Sequence, residues 1–161
     1  MSPTARSKRP TATCKRWLLA AESARARICA LDNYNNIAVE IEDLVQPSSR
    51  LRGRALTTDR EGRSFDSAGQ GRHRVENSSD VRLGPVGKFA RLLAERLEQG
   101  RLHGEFEDVI IAAPPRFLGM VRKQLSPETA KRVKLEIRKN LVSEDHKGLR
   151  KAVMSGLAIT R

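Results

Sequence analysis

Hydrophobic and polar residues alternate near the start of the chain in a way that is typical of strands. Three short apolar runs, "WLLAAE" (17–22), "RARICAL" (25–31) and "IAVEIEDL" (37–44), follow one another closely, and the second and third alternate residue by residue. "DNYNN" (32–36) is typical of a turn, because Asn and Asp tolerate left-handed backbone. The pattern predicts two or three antiparallel strands in a meander.

The second half of the chain carries helical spacing. "GPVGKFARLLAERLEQG" (84–100) predicts a helix that begins near Gly84 and ends at Gly100. Its apolar stripe consists of Val86, Phe89, Leu93 and Leu97. We expect this stripe to face a hydrophobic core.

The segment 108–125, "DVIIAAPPRFLGMVRKQL", predicts a strand that runs directly into a helix. "VIIAA" is continuously apolar, as in a strand that is buried on both faces. Pro114 ends the strand because it has no N–H for the sheet, and Pro115 suits the first turn of a helix. A strand between two helices indicates a βα crossover.

Three further segments complete the predicted fold. "SPETAKR" (126–132) has the Ser-Pro start of a short helix, and "VKLEIRKN" (133–140) alternates as a half-exposed strand. "SEDHKGLRKAVMSGLA" (143–158) predicts a terminal helix capped by Ser143. The order β-β-β, loop, α-β-α-β-α predicts a single α/β domain over residues 17–161, with a mixed sheet of about five strands flanked by helices.

Two segments are expected to lie outside this framework. Residues 1–16 carry five basic residues and no acid, which predicts a basic disordered tail, with an organellar presequence as the alternative. Residues 47–87 are dominated by Gly, Ser, Pro and Arg and show little periodicity. A loop of about 40 residues inside a compact domain is usually functional or disordered.

Composition adds a strong positive charge. The chain has 31 Lys and Arg residues against 19 Asp and Glu, a formal net charge of +12. Such an excess attracts polyanions, among them nucleic acid, the ribosome and acidic lipid. No apolar run approaches the roughly 18 residues of a membrane span. The two cysteines, Cys14 and Cys29, form no disulfide framework, which fits the reducing cytoplasm.

Motifs for cofactors and metals are missing from the sequence. Neither a Walker loop nor "GxGxxG" after a first strand is present, so we expect no cofactor. His73, His103 and His146 are far apart, and carboxylates such as Asp32 and Asp59 are scattered. Metal-dependent nucleases need several carboxylates that converge on one cation, so this activity is not favoured.

The Gly- and Arg-rich loop is the best candidate for a binding surface. Arginine's planar fork favours phosphate oxygens, and Gly62 and Gly71 allow the backbone to approach a ligand closely. The helix starts near Gly84 and Pro115 add free N–H groups, and Arg116 stands at the second of them. The alternative to a binding surface is a solvated linker, in which the acidic residues of the segment form ion pairs with its arginines. The segment 47–87 contains eight arginines: Arg50, Arg52, Arg54, Arg60, Arg63, Arg72, Arg74 and Arg82.

Four segments in order resemble the bacterial host attachment protein family, which is described as required for attachment to host cells. They are "WLLAAESARARICAL", "LTTDREGRSFDSAGQGRH", "KFARLLAERLEQG" and "DVIIAAPPRFLGMVRKQL", and the resemblance runs from about Trp17 to Leu141. The family is grouped with relatives of the middle domain of archaeal and eukaryotic peptide-chain release factors and Pelota. The resemblance therefore implies an α/β fold of ribonuclease-H type and a ribosome- or tRNA-directed role.

The most specific matching motifs, within residues 59–73 and 113–119, imply a set of site residues. Ala68-Gly69-Gln70 precedes a helix, as the Gly-Gly-Gln tip of release factors does, so a hydrolase would use Gln70 or His73. Phe65 and Gly119 belong to the same motifs. With the neighbouring Arg74, the predicted anion-binding residues are Gly62, Arg63, Gly71, Arg72, His73, Arg74, Pro115 and Arg116.

The chain departs from the family's pattern at three places. Ala68 replaces the first Gly of the release-factor tip. The family tends to have Asp-Gly after its first strand and Lys-Asp-Leu near its end, where this chain has Glu22-Ser23 and Lys139-Asn140-Leu141. Any chemistry that the Asp residues of these two motifs perform elsewhere in the family is therefore not carried over to this chain.

The sequence leaves three functions open. The first is a cytoplasmic, non-enzymatic domain that binds RNA, on the ribosome, through the 59–74 loop and the helix start at Pro115. The second is a hydrolase of peptidyl-tRNA or of a phosphodiester, in which Gln70 or His73 places a water. The third is an adaptor in host attachment that acts through protein or envelope contacts.

Overall fold

The computed structural model of the protein describes residues 16–32, 36–47 and 78–160. The strands in these ranges are β1 (Arg16–Ala21), β2 (Arg25–Asp32), β3 (Asn36–Val45), β4 (Asp108–Ala112) and β5 (Val133–Ile137). The helices are α1 (Ser78–Leu102), α2 (Pro115–Gln124), α3 (Pro127–Ala130) and α4 (His146–Ile159).

The strands form one mixed sheet in the order β3-β2-β1-β4-β5. The first three pair antiparallel, as the predicted meander requires, with Trp17 opposite Ala30 and Ile28 opposite Glu42. β4 pairs parallel to β1, and β5 pairs parallel to β4. Parallel neighbours need crossover connections, and α1 precedes β4 while α2 and α3 precede β5. The prediction of an α/β domain with a mixed five-stranded sheet is confirmed.

Hydrophobic cores cover both faces of the sheet. On one face, Phe89, Leu93 and Leu97 of the predicted α1 stripe are buried together with residues of α2. On the other face, Leu149 and Val153 of α4 are buried against the sheet. β4 lies between the two cores, which explains why its sequence is continuously apolar instead of alternating.

The sequence predicts a helix that begins near Gly84, and the second of two helical pieces of α1 does begin there. A first piece precedes it from Ser78, so the end of the predicted 47–87 loop is helical. Gly84 has φ 65° and ψ 178°, a backbone that favours glycine, and Pro85 follows it. The pair is the kink between the two helical pieces, and it marks the start of the second. The apolar periodicity begins only after the kink, which is why the preceding turns were missed.

α1 does not end at Gly100, where the sequence predicts its C-terminus. The helix continues to Leu102, and Gly104 adopts the left-handed conformation (φ 67°) that commonly follows a helix end. Gly100 is buried, and an added Cβ would lie 2.7 Å from ring atoms of Trp17. Glycine is therefore needed here because an aromatic ring packs directly against the helix backbone.

The ends of three other elements also differ from the predictions. β1 begins at Arg16, a residue that the sequence pattern places in the tail. β5 ends at Ile137, whose carbonyl accepts the N–H of Ala113 at 3.0 Å. The next residue on the side of β4 is Pro114, which has no N–H with which to continue the pairing. α4 is capped by Asp145 and not by Ser143, since the Asp145 carboxylate accepts the N–H of Gly148 at 2.7 Å.

Candidate functional site

The carboxyl ends of β1, β4 and β5 meet at one edge of the sheet, because these strands are parallel. β1 leads into Glu22 and Ser23, β4 leads through two prolines into Arg116, and β5 leads into Arg138 and Lys139. We call this border the carboxyl edge. Ligands of open α/β sheets bind preferentially at such an edge.

A pocket of about 570 Å³ opens at the carboxyl edge, between the Gly84 kink of α1 and the first turn of α2. Its polar lining includes Glu22, Ser23 and Arg116. The volume lies within the ordinary range of small-ligand sites. We call it the edge pocket. Its apolar lining consists of Leu83, Pro85, Val86, Pro114, Phe117 and Met120.

Two prolines set the first turn of α2. Pro114 is the N-cap residue, in an extended conformation (φ −54°, ψ 145°), and its carbonyl accepts the N–H of Leu118 at 2.9 Å. Pro114 has no polar side chain with which to cap the helix. The first-turn N–H groups and the positive end of the helix dipole therefore face the carboxyl edge together with the exposed Arg116.

Glu22 and Asn140 meet across the carboxyl edge. The Asn140 amide Nδ2 donates to Glu22 Oε2 at 3.3 Å, and Asn140 Oδ1 accepts the N–H of Val142 at 3.1 Å. The backbone N–H of Glu22 in turn donates to the carbonyl of Arg25 at 2.8 Å. The Asn140 amide thus positions the carboxylate, and the backbone hydrogen bond positions the residue that carries it.

This convergence was not foreseen. Glu22 and Asn140 stand at two places where the chain departs from the family's pattern, but they are 118 residues apart in sequence. They come together because β1, which precedes Glu22, and β5, which precedes Asn140, both pair with β4. The sequence identified each position separately and gave no signal that they are neighbours.

Ion pairs take up most arginines of the described part of the chain. The Arg25 guanidinium, for example, donates to Asp43 at 2.5 Å, and this hydrogen bond lowers the pKa of the Asp43 carboxyl. Arg96 donates to Glu42 at 2.6 Å and also lies over the Trp17 ring, 4.9 Å from its centroid. The paired arginines are Arg16, Arg25, Arg27, Arg91, Arg96, Arg101 and Arg122.

The cations of the carboxyl edge behave differently. Arg116, Arg138 and Lys139 are exposed, and among the described residues none of them has a hydrogen-bond or ion-pair partner. A second pocket, of about 310 Å³, lies across the Gly84–Pro85 kink and is lined in part by the exposed Lys88. The carboxyl edge therefore presents positive charge that the described carboxylates do not neutralise.

Three of the predicted site residues lie within the described ranges. Pro115 and Arg116 lie at the carboxyl edge, as predicted. Gly119 lies in the middle of α2, where an added Cβ would meet nothing within 4 Å, so nothing in its packing requires glycine. The other predicted residues lie outside the described ranges: Gly62, Arg63, Phe65, Gln70, Gly71, Arg72, His73 and Arg74.

The described residues contain no group of three or more His, Cys, Asp or Glu side chains arranged to hold a metal ion. Cys29 is fully buried on the α4 side of the sheet, where burial raises the pKa of its thiol to about 11. It is a small hydrophobe in the core. No helix in the described ranges has both the length and the apolar character needed to cross a membrane.

A family model described as "Protein required for attachment to host cells" matches residues 17–153. The chain belongs to this family. The match begins in β1 and extends into α4, so the host-attachment family covers the whole sheet and the carboxyl edge. The resemblance recognised in the sequence is confirmed at this level.

The other comparisons add little to the host-attachment assignment. None of the curated proteins compared with the sequence matches it. Among solved structures, the crystal structure of an archaeal translation termination factor is similar over 90% of this chain and 37% of its own, with a TM-score of 0.36 and 14% identity. The chain thus spans little more than a third of that protein. The relation to release factors stays a prediction.

Proposed function

We propose that this member of the host-attachment family is a non-catalytic, cytoplasmic domain that binds RNA, on the ribosome or in tRNA, and that the carboxyl edge is part of its contact surface. The observation that carries the proposal is the set of unpartnered cations at that edge. Arg116, Arg138 and Lys139 follow neighbouring strands and are exposed, while most other described arginines are paired with carboxylates.

The chemistry of these cations suits phosphate. Arg116 offers a planar guanidinium that can bind two phosphate oxygens at once, next to the positive end of the α2 dipole. Arg138 and Lys139 extend the positive surface to the next strand, so the edge can follow a phosphate backbone instead of a single anion. The net charge of +12 adds a long-range attraction for the same partner.

Binding to purified ribosomes and to tRNA, measured by filter retention at two salt concentrations, tests the proposal. Three phosphate contacts predict that affinity falls about 40-fold when salt rises about fourfold. Arg116→Gln should weaken binding to every sequence and reduce the slope of log affinity against log salt by about one. The same change at Arg150, which is exposed on α4 and also without a described partner, should leave binding unchanged.

Two results would refute RNA binding at this edge. One is no binding, or binding that does not depend on salt. The other is an equal loss of affinity in the Arg116→Gln and Arg150→Gln variants, which would mean that net charge alone attracts the RNA.

A second candidate, an adaptor that acts through protein contacts in attachment, is favoured by the description of the family. It requires the protein to be exposed at the cell surface. Labelling of intact cells with a reagent that does not cross the membrane distinguishes the two: the RNA-binding proposal predicts that the protein is protected, and the adaptor predicts that it is labelled.

A further inference from the structure

We infer that the edge pocket holds one unstacked guanine base of the bound RNA, which Glu22 and Ser23 recognise by its Watson–Crick edge. This inference rests on the proposed function, because it specifies what one nucleotide of the RNA does at the carboxyl edge. Proteins read RNA sequence mostly from unstacked bases, which they hold against flat or apolar walls and bind by hydrogen bonds at the base edge.

The edge pocket has the size and the lining that a single base needs. Its volume of about 570 Å³ can take a nucleotide, and Pro85, Val86, Pro114 and Met120 supply apolar surface against which the ring can lie. The polar groups are confined to Glu22, Ser23 and Arg116 within this lining. A base is likewise apolar on its faces and polar only along its edge.

The polar groups of the β1 end match guanine. The Glu22 carboxylate accepts hydrogen bonds only, and guanine presents two adjacent donors, N1–H and the N2 amino group, which a carboxylate can bind together. The Ser23 hydroxyl, on the next residue, can donate to guanine O6. Adenine, cytosine and uracil each place an acceptor beside their donor on this edge, so each would set a lone pair against the carboxylate.

The positions of the two charges fix the direction of the nucleotide. Glu22 follows β1 directly, and Arg116 stands in the first turn of the helix that follows β4, the neighbouring parallel strand. A phosphate is repelled by the carboxylate and attracted by the guanidinium. The base therefore points towards the β1 end and the phosphate towards the start of α2.

The carboxylate is also oriented in advance. The Asn140 amide donates to one Glu22 oxygen at 3.3 Å and is itself held by the N–H of Val142. The neutral Asn140 amide directs the carboxylate and adds no positive charge beside it, whereas a lysine or arginine at this place would. A preoriented group loses less entropy when the base binds, which favours selectivity at this one position.

Six-nucleotide oligouridylates with a single guanosine, inosine, adenosine or cytidine at the third position test the inference by fluorescence anisotropy at low salt. The guanosine oligonucleotide should bind roughly tenfold more tightly than the adenosine and cytidine ones. Inosine, which lacks the N2 amino group, should fall between them. Glu22→Gln should remove the preference for guanosine, and Ser23→Ala, a change at an exposed residue, should reduce it.

The control is Glu128→Gln, which removes an exposed carboxylate on α3, before the start of β5 and hence towards the opposite edge of the sheet. It should keep the guanosine preference. Equal affinity of the wild-type protein for all the oligonucleotides overturns the inference, and so does a preference that survives both Glu22→Gln and Ser23→Ala. If binding is then still dependent on salt and on Arg116, the proposed function stands without the base pocket, whereas absence of binding to any RNA refutes both.

Discussion

Gly100 and Gly119 are both helical glycines, yet their surroundings differ. At Gly100, an added Cβ would lie 2.7 Å from ring atoms of Trp17 and 2.9 Å from a ring atom of Phe106. The two rings pack together, with centroids 4.8 Å apart, in the core between α1 and the sheet. At Gly119, an added Cβ would meet nothing within 4 Å. The same substitution should therefore have opposite effects at the two sites.

We expect Gly100→Ala to lower the free energy of unfolding by about 1–3 kcal/mol, because overpacking a rigid aromatic cluster outweighs the better helix propensity of Ala. Gly119→Ala should raise it by about 0.5–1 kcal/mol, since only the propensity changes there. Urea unfolding followed by circular dichroism measures both. A stabilisation of similar size in both variants would show that Trp17 does not pack tightly on Gly100.

At the scale of elements, Glu98 connects the end of α1 to α3. Its carboxylate accepts hydrogen bonds from Arg101 (Nη2 to Oε1, 2.6 Å), from Thr129 and from Ser126 (Oγ to Oε2, 2.8 Å). These hydrogen bonds, that from Arg101 most of all, lower the pKa of Glu98 from 4.5 to about 2. Ser126 also caps α3 by accepting the N–H of Thr129, so one carboxylate organises the connection between two helices.

The sign of the resulting pH dependence follows from the lowered pKa. The unfolded chain binds a proton at Glu98 near pH 4.5, whereas the folded protein does so only near pH 2. The stabilisation is therefore complete above pH 4.5 and is lost as the pH falls from 4.5 towards 2. Glu98→Gln should lower stability at pH 7 and flatten this acid dependence, as measured by urea unfolding between pH 7 and pH 3.

Glu95→Gln is the matched control, because Glu95 is an exposed residue of the same helix that bonds only the neighbouring Arg91 in the described structure. It should change stability little at either pH. If the two variants lose the same amount of stability, or if Glu98→Gln keeps the acid dependence of the parent, the hydrogen bonds to α3 do not stabilise the fold.

Local patterns were sufficient to predict most elements. The alternating runs gave the meander, and the continuous apolar run before Pro114 gave a strand buried on both faces. The wrong predictions concern the ends of elements, where the local pattern is weak. The helical turns before Gly84 precede the apolar periodicity, and Gly100 is a contact with Trp17 and not a helix end.

The candidate site could be predicted only where a local signal existed. Arg116 was found because Pro114 and Pro115 mark the strand end and the helix start around it. The hydrogen bond between Glu22 and Asn140 depends on the order in which β1, β4 and β5 pair, and no spacing along the chain encodes that order directly. The arginine-rich 59–74 segment lies outside the described ranges, so its role stays a prediction.

At the scale of the whole molecule, the proposed function depends on where positive charge is left unpaired. A net charge of +12 alone would attract RNA to any part of the surface. Ion pairs occupy most described arginines, including Arg16 at the opposite edge, which pairs with Asp108 at 3.0 Å. The carboxyl edge keeps Arg116 and Arg138 free of described partners, beside a pocket that can hold a base. We therefore expect RNA to contact a localised surface.

Mapping the RNA contact by NMR tests this localisation most directly. The backbone amide signals of the isotope-labelled protein would be followed during titration with the guanosine-containing oligonucleotide at low salt. We expect the largest shifts at Glu22, Ser23, Arg116 and Arg138, and little shift at Asp108, which lies at the opposite edge. Shifts concentrated at the opposite edge or on α4, or spread evenly over the exposed cations, would contradict this expectation.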